Sequence, residues 1–245
     1  MFGKQLAAKK QKLESIVSNT MPQGLQLHAI GGETSMLVPD SMIQPLRHMT
    51  TQLSRQSALP SKVAVVAALR QEGVSSLSIA LGALLAHDTG QTVCVVDLNW
   101  WWPSSLFQTL GRQSDGLIGV VQGNARWSSS LIRTNLPNLT ILPAGLLPLE
   151  ERPIVARSAT LKTIITEMTG VIDHLILDIP AILSTSDAVP LASLSDACCL
   201  VAYQGLTTSG TVKRAIKEID HLPMLGLLLN RTRVATPQWI RQWLA

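Results

Sequence analysis

The chain has 245 residues, of which 46% are hydrophobic and only 15% charged, with a net charge of +4. That length allows one large domain with arms and a sizeable core, while no run approaches the ~18 consecutive apolar residues of a membrane span. So mild a positive charge does not by itself indicate nucleic acid, and a surface short of charge fits extensive contact with other protein.

Residues 1–20 carry Lys4, Lys9, Lys10 and Lys12 against Glu14, and Phe2, Leu6, Leu13 and Val17 could share one helical face. Two readings stay open: a basic amphipathic helix touching anionic lipid or a partner, or a solvated arm. The opening MFGKQLAAKKQKL has lysines but no apolar core behind them, so it is no secretory signal and a cytoplasmic location is expected. Residues 21–40, with MPQG and GGET, read as a linker. Asp40 to Leu53 reads as a helix with Asp40 or Ser41 as its cap and Met42, Leu46, Met49 and Leu53 as its buried stripe.

From Lys62 strands and helices alternate. Strand 62–68 leads to helix 75–87, ended by Gly90 as a C′ glycine. Strand 92–98, TVCVVDL, has the continuous apolar run of a sheet covered on both faces. A loop with a short helix, a second short helix near 116–122 and a turn at 128–132 precede the strand 138–143. One long helix is expected over about 150–171, then strand 173–179, a short helix within 186–194, strand 196–202, helix 208–221 and strand 223–229. This alternation implies right-handed crossovers and an α/β fold with a doubly wound, mostly parallel sheet. Residues 1–60 form a helical arm and linker, 61–231 the sheet domain, and 232–245 a short helix with Trp239, Ile240, Trp243 and Leu244 on one face. Cys94, Cys198 and Cys199 lie in strand-like runs without a CxxC and read as buried thiols.

The stretch KVAVVAALRQEGVSS, Lys62 to Ser76, has the strand–turn–helix context of a phosphate-binding loop. The pattern GxxxxGK[ST] falls on Ala68 to Ser75. Ala68 stands for the first glycine, Gly73 is the second, Ser75 supplies the Mg²⁺-binding hydroxyl, and Val74 stands where the lysine should be. In such sheets ligands bind beyond the carboxyl ends of strands. Asp97, followed by Asn99, and Asp178 occupy two further strand ends. Two carboxylates near a serine at a helix start suit Mg²⁺ and phosphate. Alone, each could simply cap a turn.

In this order the segments VVAALRQEGVSS, TVCVVDLNWWWPSS, NLTILPAG, HLILDIP, DACCLVA and MLGLLLNR resemble the MinD/ParA-type P-loop ATPases. Within them the chain looks most like the bacterial tyrosine kinases (CpsD/CapB type) of exopolysaccharide assembly. The resemblance covers about residues 40–231. It implies ATP or ADP and Mg²⁺ as cofactors. Glu72, Gly73, Val74, Ser75, Ser76, Asn230 and Arg231 would bind nucleotide, Ser75, Asp97 and Asp178 the metal, and Asp97 and Asp178 would be catalytic. Asn230 falls where the family contacts adenine, and Gln44 and Arg47 lie on a helix resembling the family's oligomerisation helix, its Glu replaced. The departures are Val74 for lysine, Asn99 for a second acid, Trp101 or Trp102 for arginine, and Ile179 and Ala181 for Thr and Pro. The tyrosine-rich tail is missing, since Tyr203 is the chain's only tyrosine.

Lysine neutralises charge on the transferring phosphates, and losing one such preorganised donor costs about 10²–10³ in rate. The reading that follows is a degenerate kinase-like protein, regulatory or scaffolding in exopolysaccharide synthesis or export. It would dock on a membrane-associated partner, as a homo- or hetero-oligomer, with phosphoryl transfer weak or lost. Trp100, Trp101 and Trp102 are candidate interface anchors, with packing over the core the other reading. Two alternatives remain: an active ATPase switch or tyrosine kinase in which another cation, such as Arg70, replaces lysine, and a ParA- or MinD-like partitioning or positioning protein. No nucleic acid is expected, because no basic groove accompanies the tryptophans.

Overall fold

The computed structural model describes residues 24–30, 32, 35–56, 59–110 and 115–231. The amphipathic N-terminal stripe and the C-terminal helix lie outside the described residues. The expected linker is instead a hairpin: β1 (Gly24–His28) pairs antiparallel with β2 (Ser35–Pro39), Leu27 opposite Met36. The segment is rich in turn residues, but Leu25/Leu27 and Met36/Val38 alternate with period two, and one alternate set turns inward. Leu27 and Val38 are buried.

α1 (Asp40–Gln56) buries Ile43 and Leu46 and leaves Met42, Met49 and Leu53 half-buried. β3 (Lys62–Ala67) runs into α2 (Val74–Thr89), which Gly90 ends in the left-handed conformation (φ 70°). β4 (Val93–Asp97), α3 (Ser105–Leu110) and α4 (Gly116–Val121) follow. The turn expected at 128–132 is a single 3₁₀ turn at Trp127–Ser129 leading into a two-residue edge strand, β5 (Ile132–Arg133). After β6 (Leu139–Leu142) the expected long helix is broken in two, α5 (Arg152–Ala156) and α6 (Ala159–Met168). The cause is local. Ser158 is extended, and its hydroxyl accepts from Leu161 N, so it caps a new helix instead of continuing the old one. β7 (His174–Asp178), α7 (Ala188–Ala192), β8 (Ala197–Tyr203), α8 (Ser209–Glu218) and β9 (Met224–Asn230) complete the described chain.

Seven strands lie in the order β5-β6-β4-β7-β3-β8-β9, all parallel except β5 at one edge. The doubly wound, mostly parallel α/β sheet expected from the sequence is the fold observed. Period two divides each central strand between two cores. Ala64, Val66 and Ala68 face the layer of α4, α6 and α7, whereas Val63, Val65 and Ala67 face α2. α2 is sandwiched between sheet and α1, which is why Leu77 through Ala86 are all buried. Hairpin and α1 contribute Leu27, Val38, Ile43 and Leu46 to that same core. The hairpin is also tied to the sheet edge, Ile30 N donating to Arg133 O at 2.9 Å and His28 N to Asn135 Oδ1 at 2.9 Å. All three cysteines are buried free thiols, as expected, and burial pushes Cys94 and Cys199 up to about 12.

Candidate functional site

β3, β7 and β4 lie side by side with their carboxyl ends on one edge. Asp97, last in β4, is the register partner of Asp178, last in β7. Asp178 is wholly buried, and neither carboxylate oxygen has a hydrogen-bond partner. Asp97 is 3% exposed and accepts from Asn99 N at 2.9 Å. Desolvation, reinforced by the charge of Asp97, holds the Asp178 carboxyl well above the usual range; the nearby Ser75 hydroxyl pulls the other way without closing a hydrogen bond. Burial raises Asp97 to about 6, against the pull of backbone N–H donors at Asn99 and Ala144. A buried carboxylate without partners is costly unless something compensates its charge. An oxygen-seeking divalent cation suits Asp178, Asp97 and the Ser75 hydroxyl. Among the described residues no cluster of three or more His, Cys, Asp or Glu forms a metal centre alone, so water or phosphate oxygens would complete the shell, as is common for Mg²⁺.

The loop from Ala68 to Gly73 is anchored from outside, Ile182 N and Leu183 N donating to Ala67 O and Ala68 O. Inside it, Glu72 is buried; its carboxylate accepts from Leu69 N at 2.9 Å and from the Thr207 hydroxyl. Gln71 (φ 64°) and Gly73 (φ 98°) are both left-handed, a backbone conformation of the kind from which anion-binding concavities of N–H groups are built. Arg70, Gln71 and Gly73 N–H have no protein acceptor among the described residues. Gly73 also caps α2 with no side-chain bond, so the start of that helix, with Val74, Ser75 and Ser76, remains open to an anion. No larger residue fits at Gly73, where a Cβ would lie 2.1 Å from Asn230 Nδ2. Asn230 instead donates to Glu72 O at 2.8 Å. The residue expected to read adenine thus fastens the loop in this structure.

The tryptophan triplet divides. Trp100 is 2% exposed, and its indole N–H donates to Ala144 O at 3.0 Å, so the interface reading does not hold for it: the ring packs over the core. Trp101 and Trp102 are half-buried. Asn99 takes a structural part, its Oδ1 accepting from Trp102 N at 3.1 Å. The Arg70 guanidinium lies 4.4 Å from the centre of the Trp102 ring. Gln44 is exposed, and Arg47 is engaged within the chain by two hydrogen bonds to Asp88, at 2.6 and 3.0 Å. Arg231 lies 5.1 Å from the Tyr203 ring, and these two with Gln204, Gly205 and Leu206 line an open cavity of about 580 Å³ beside the loop–Asn230 contact. Neither Thr207 nor Tyr203 is among the site residues expected from the sequence. Neither carries a motif, and the 135-residue separation of Thr207 from Glu72 has no local signature.

The chain is 27% identical over 179 residues to tyrosine-protein kinase CpsD of Streptococcus agalactiae, across 71% of this chain and 77% of that relative. Its fold matches the kinase domain of Escherichia coli tyrosine kinase ETK with a TM-score of 0.70 at 20% identity, covering 80% of this chain and 78% of that one. It also matches the septum site-determining protein MinD of Pyrococcus horikoshii, complexed with Mg-ADP, with a TM-score of 0.58 at 21% identity, across 75% and 76% of the two chains. This is a MinD/ParA-type P-loop fold whose relatives are bacterial tyrosine kinases. No protein-family model matches the chain. Ser75, in the first turn of α2, and Asp97 and Asp178, at the ends of β4 and β7, lie at the carboxyl edge of the sheet, where doubly wound folds as a class bind ligands. Among the described residues no helix is long and apolar enough to cross a membrane.

Proposed function

We propose that this protein is a kinase-derived regulatory or scaffolding subunit of exopolysaccharide synthesis or export. It would retain a site for nucleotide and Mg²⁺ while transferring phosphoryl groups weakly or not at all. One observation carries the reading: Val74 opens α2, directly after the left-handed Gly73 cap, at the position where a P-loop needs its lysine. Valine offers neither charge nor donor to the β- and γ-phosphates, while transfer depends almost wholly on positioning and charge stabilisation. Ser75, Asp97 and Asp178 would hold Mg²⁺, whose chemistry there is neutralisation of phosphate charge. The backbone of Arg70 to Gly73 would cradle phosphate oxygens, Glu72 would brace the loop against Thr207, and the Arg231–Tyr203 cavity would take the base. The proposed partner is a membrane-associated protein of the export machinery, a reading the kinase relatives support, and Trp101, Trp102, Gln44 and Arg47 are the surface residues proposed to meet partner or copy.

Calorimetric titration with ATP and ADP, with and without Mg²⁺, tests this alongside hydrolysis in the same samples. Mg²⁺-dependent binding with negligible turnover is expected. Rapid turnover would return the protein to the active ATPase or kinase class. No binding up to millimolar nucleotide would leave a scaffold without nucleotide.

A further inference from the structure

We propose that Arg70, held on the Trp102 ring, is a phosphate-binding cation of this loop: it supplies charge for binding, without standing at the Val74 position from which a lysine would assist transfer. The inference rests on the nucleotide-binding reading above and names the residue that would make binding possible. In the strand order β4-β7-β3, Arg70 belongs to the loop after β3 and Trp102 to the loop after β4. Their contact therefore crosses the carboxyl end of β7, the strand that ends in the buried, unpartnered Asp178. The guanidinium is thus held at the same edge of the sheet that carries the α2 N-terminus and the loop N–H groups without a protein acceptor.

How Arg70 is held matters as much as where. Among the described residues it has no carboxylate partner. An ion pair would cancel its charge. An aromatic face holds the guanidinium by its plane and leaves the N–H edge free, the arrangement that suits bidentate contact with phosphate. The Trp102 backbone is fixed in turn: its main-chain N–H donates to Asn99 Oδ1, Asn99 N donates to Asp97 Oδ1, and the neighbouring Trp101 ring packs 6.1 Å from buried Trp100. One short chain, Asp97–Asn99–Trp102–Arg70, links the candidate metal carboxylate to the cation. The ligand class is the terminal phosphates of a nucleoside di- or triphosphate.

The test titrates the full chain with Mg·ADP and with inorganic pyrophosphate, which lacks base and ribose. Arg70 is exposed, so Arg70→Ala and Arg70→Gln should fold, as a melting curve verifies. Both variants should weaken binding of both probes by about 10- to 100-fold. Trp102→Ala should cost about 3- to 10-fold, and Trp102→Phe, which keeps an aromatic face, should stay near wild type. Lys162→Ala, removing an exposed charge on α6, should change nothing. Wild-type affinity in the Arg70 variants overturns this inference while leaving nucleotide binding intact. Failure of the wild type itself to bind either probe overturns the nucleotide reading and this inference with it.

Discussion

Asp97 and Asp178 stand opposite each other at the last register position of β4 and β7, both out of solvent, and no protein cation offsets either charge among the described residues. Both are raised above the ordinary carboxyl value, Asp97 to about 6 and Asp178 well above the usual range. Folding therefore favours their protonated forms. That contribution is fully present below about pH 4, the unfolded value, and is lost as pH rises through the folded values. In chelator, the melting temperature should fall between pH 5 and pH 8. Asp178→Asn should flatten the profile and stabilise the metal-free protein at pH 7.5 by about 1–3 kcal/mol. A wild-type profile as flat as the variant's would remove the buried-charge argument. Adding Mg²⁺ at pH 7.5 should raise the melting temperature of the wild type and not of Asp178→Asn.

Val74→Lys restores the ammonium at the first residue of α2. If lysine loss is the main lesion, hydrolysis should rise about 10²–10³-fold over wild type. An unchanged rate, measured at saturating Mg·ATP, would locate the defect elsewhere, with Asn99 the next residue to replace.

Gly82 lets α2 lie directly on β4, since a Cβ there would come within 2.5 Å of Val95 Cγ2. Gly82→Ala should lower stability by about 1–3 kcal/mol despite alanine's better helix propensity. Denaturant unfolding measures it. A stabilised variant would mean that helix and sheet separate easily.

Arg47 and Asp88 tie α1 to α2, with 40% and 29% of their side chains exposed. The Arg47 hydrogen bond, more than its charge, holds the Asp88 carboxyl below its usual range. The pair's contribution is present above about pH 4 and is lost as pH falls through the lowered folded value. Arg47→Ala should cost less than about 1 kcal/mol at neutral pH, and its melting curve should converge on the wild type in strong acid. A larger change in self-association, read by light scattering, would belong to an interface between copies.

Much of this protein was legible locally. The apolar runs of β3, β4, β7 and β8 announced a sheet covered on both faces. Gly73 and Gly90 marked the ends of α2, and the order Ser75, Asp97, Asp178 marked the strand ends where chemistry could sit. These signals survive in sequence because they arise from period, turn conformation and side-chain type, each expressed within a few residues. The hairpin is present too, in two alternating runs, but its glycines read as linker, because the core that buries Leu27 and Val38 is built by segments further along the chain.

What only the tertiary structure decided involves residues far apart in the chain. Nothing local shows that Glu72 would be spent on Thr207, that Asn230 would lie on Gly73, or that Trp100 would turn inward while Trp102 received Arg70. Each outcome depends on which loops the sheet order brings together, and that order is settled by burial of the whole core rather than by any one segment. The sequence by itself determined that a phosphate loop without its lysine would stand at the end of β3. The fold decided which residues surround it, because contacts across 30 to 160 positions exist only once the strands have been placed side by side.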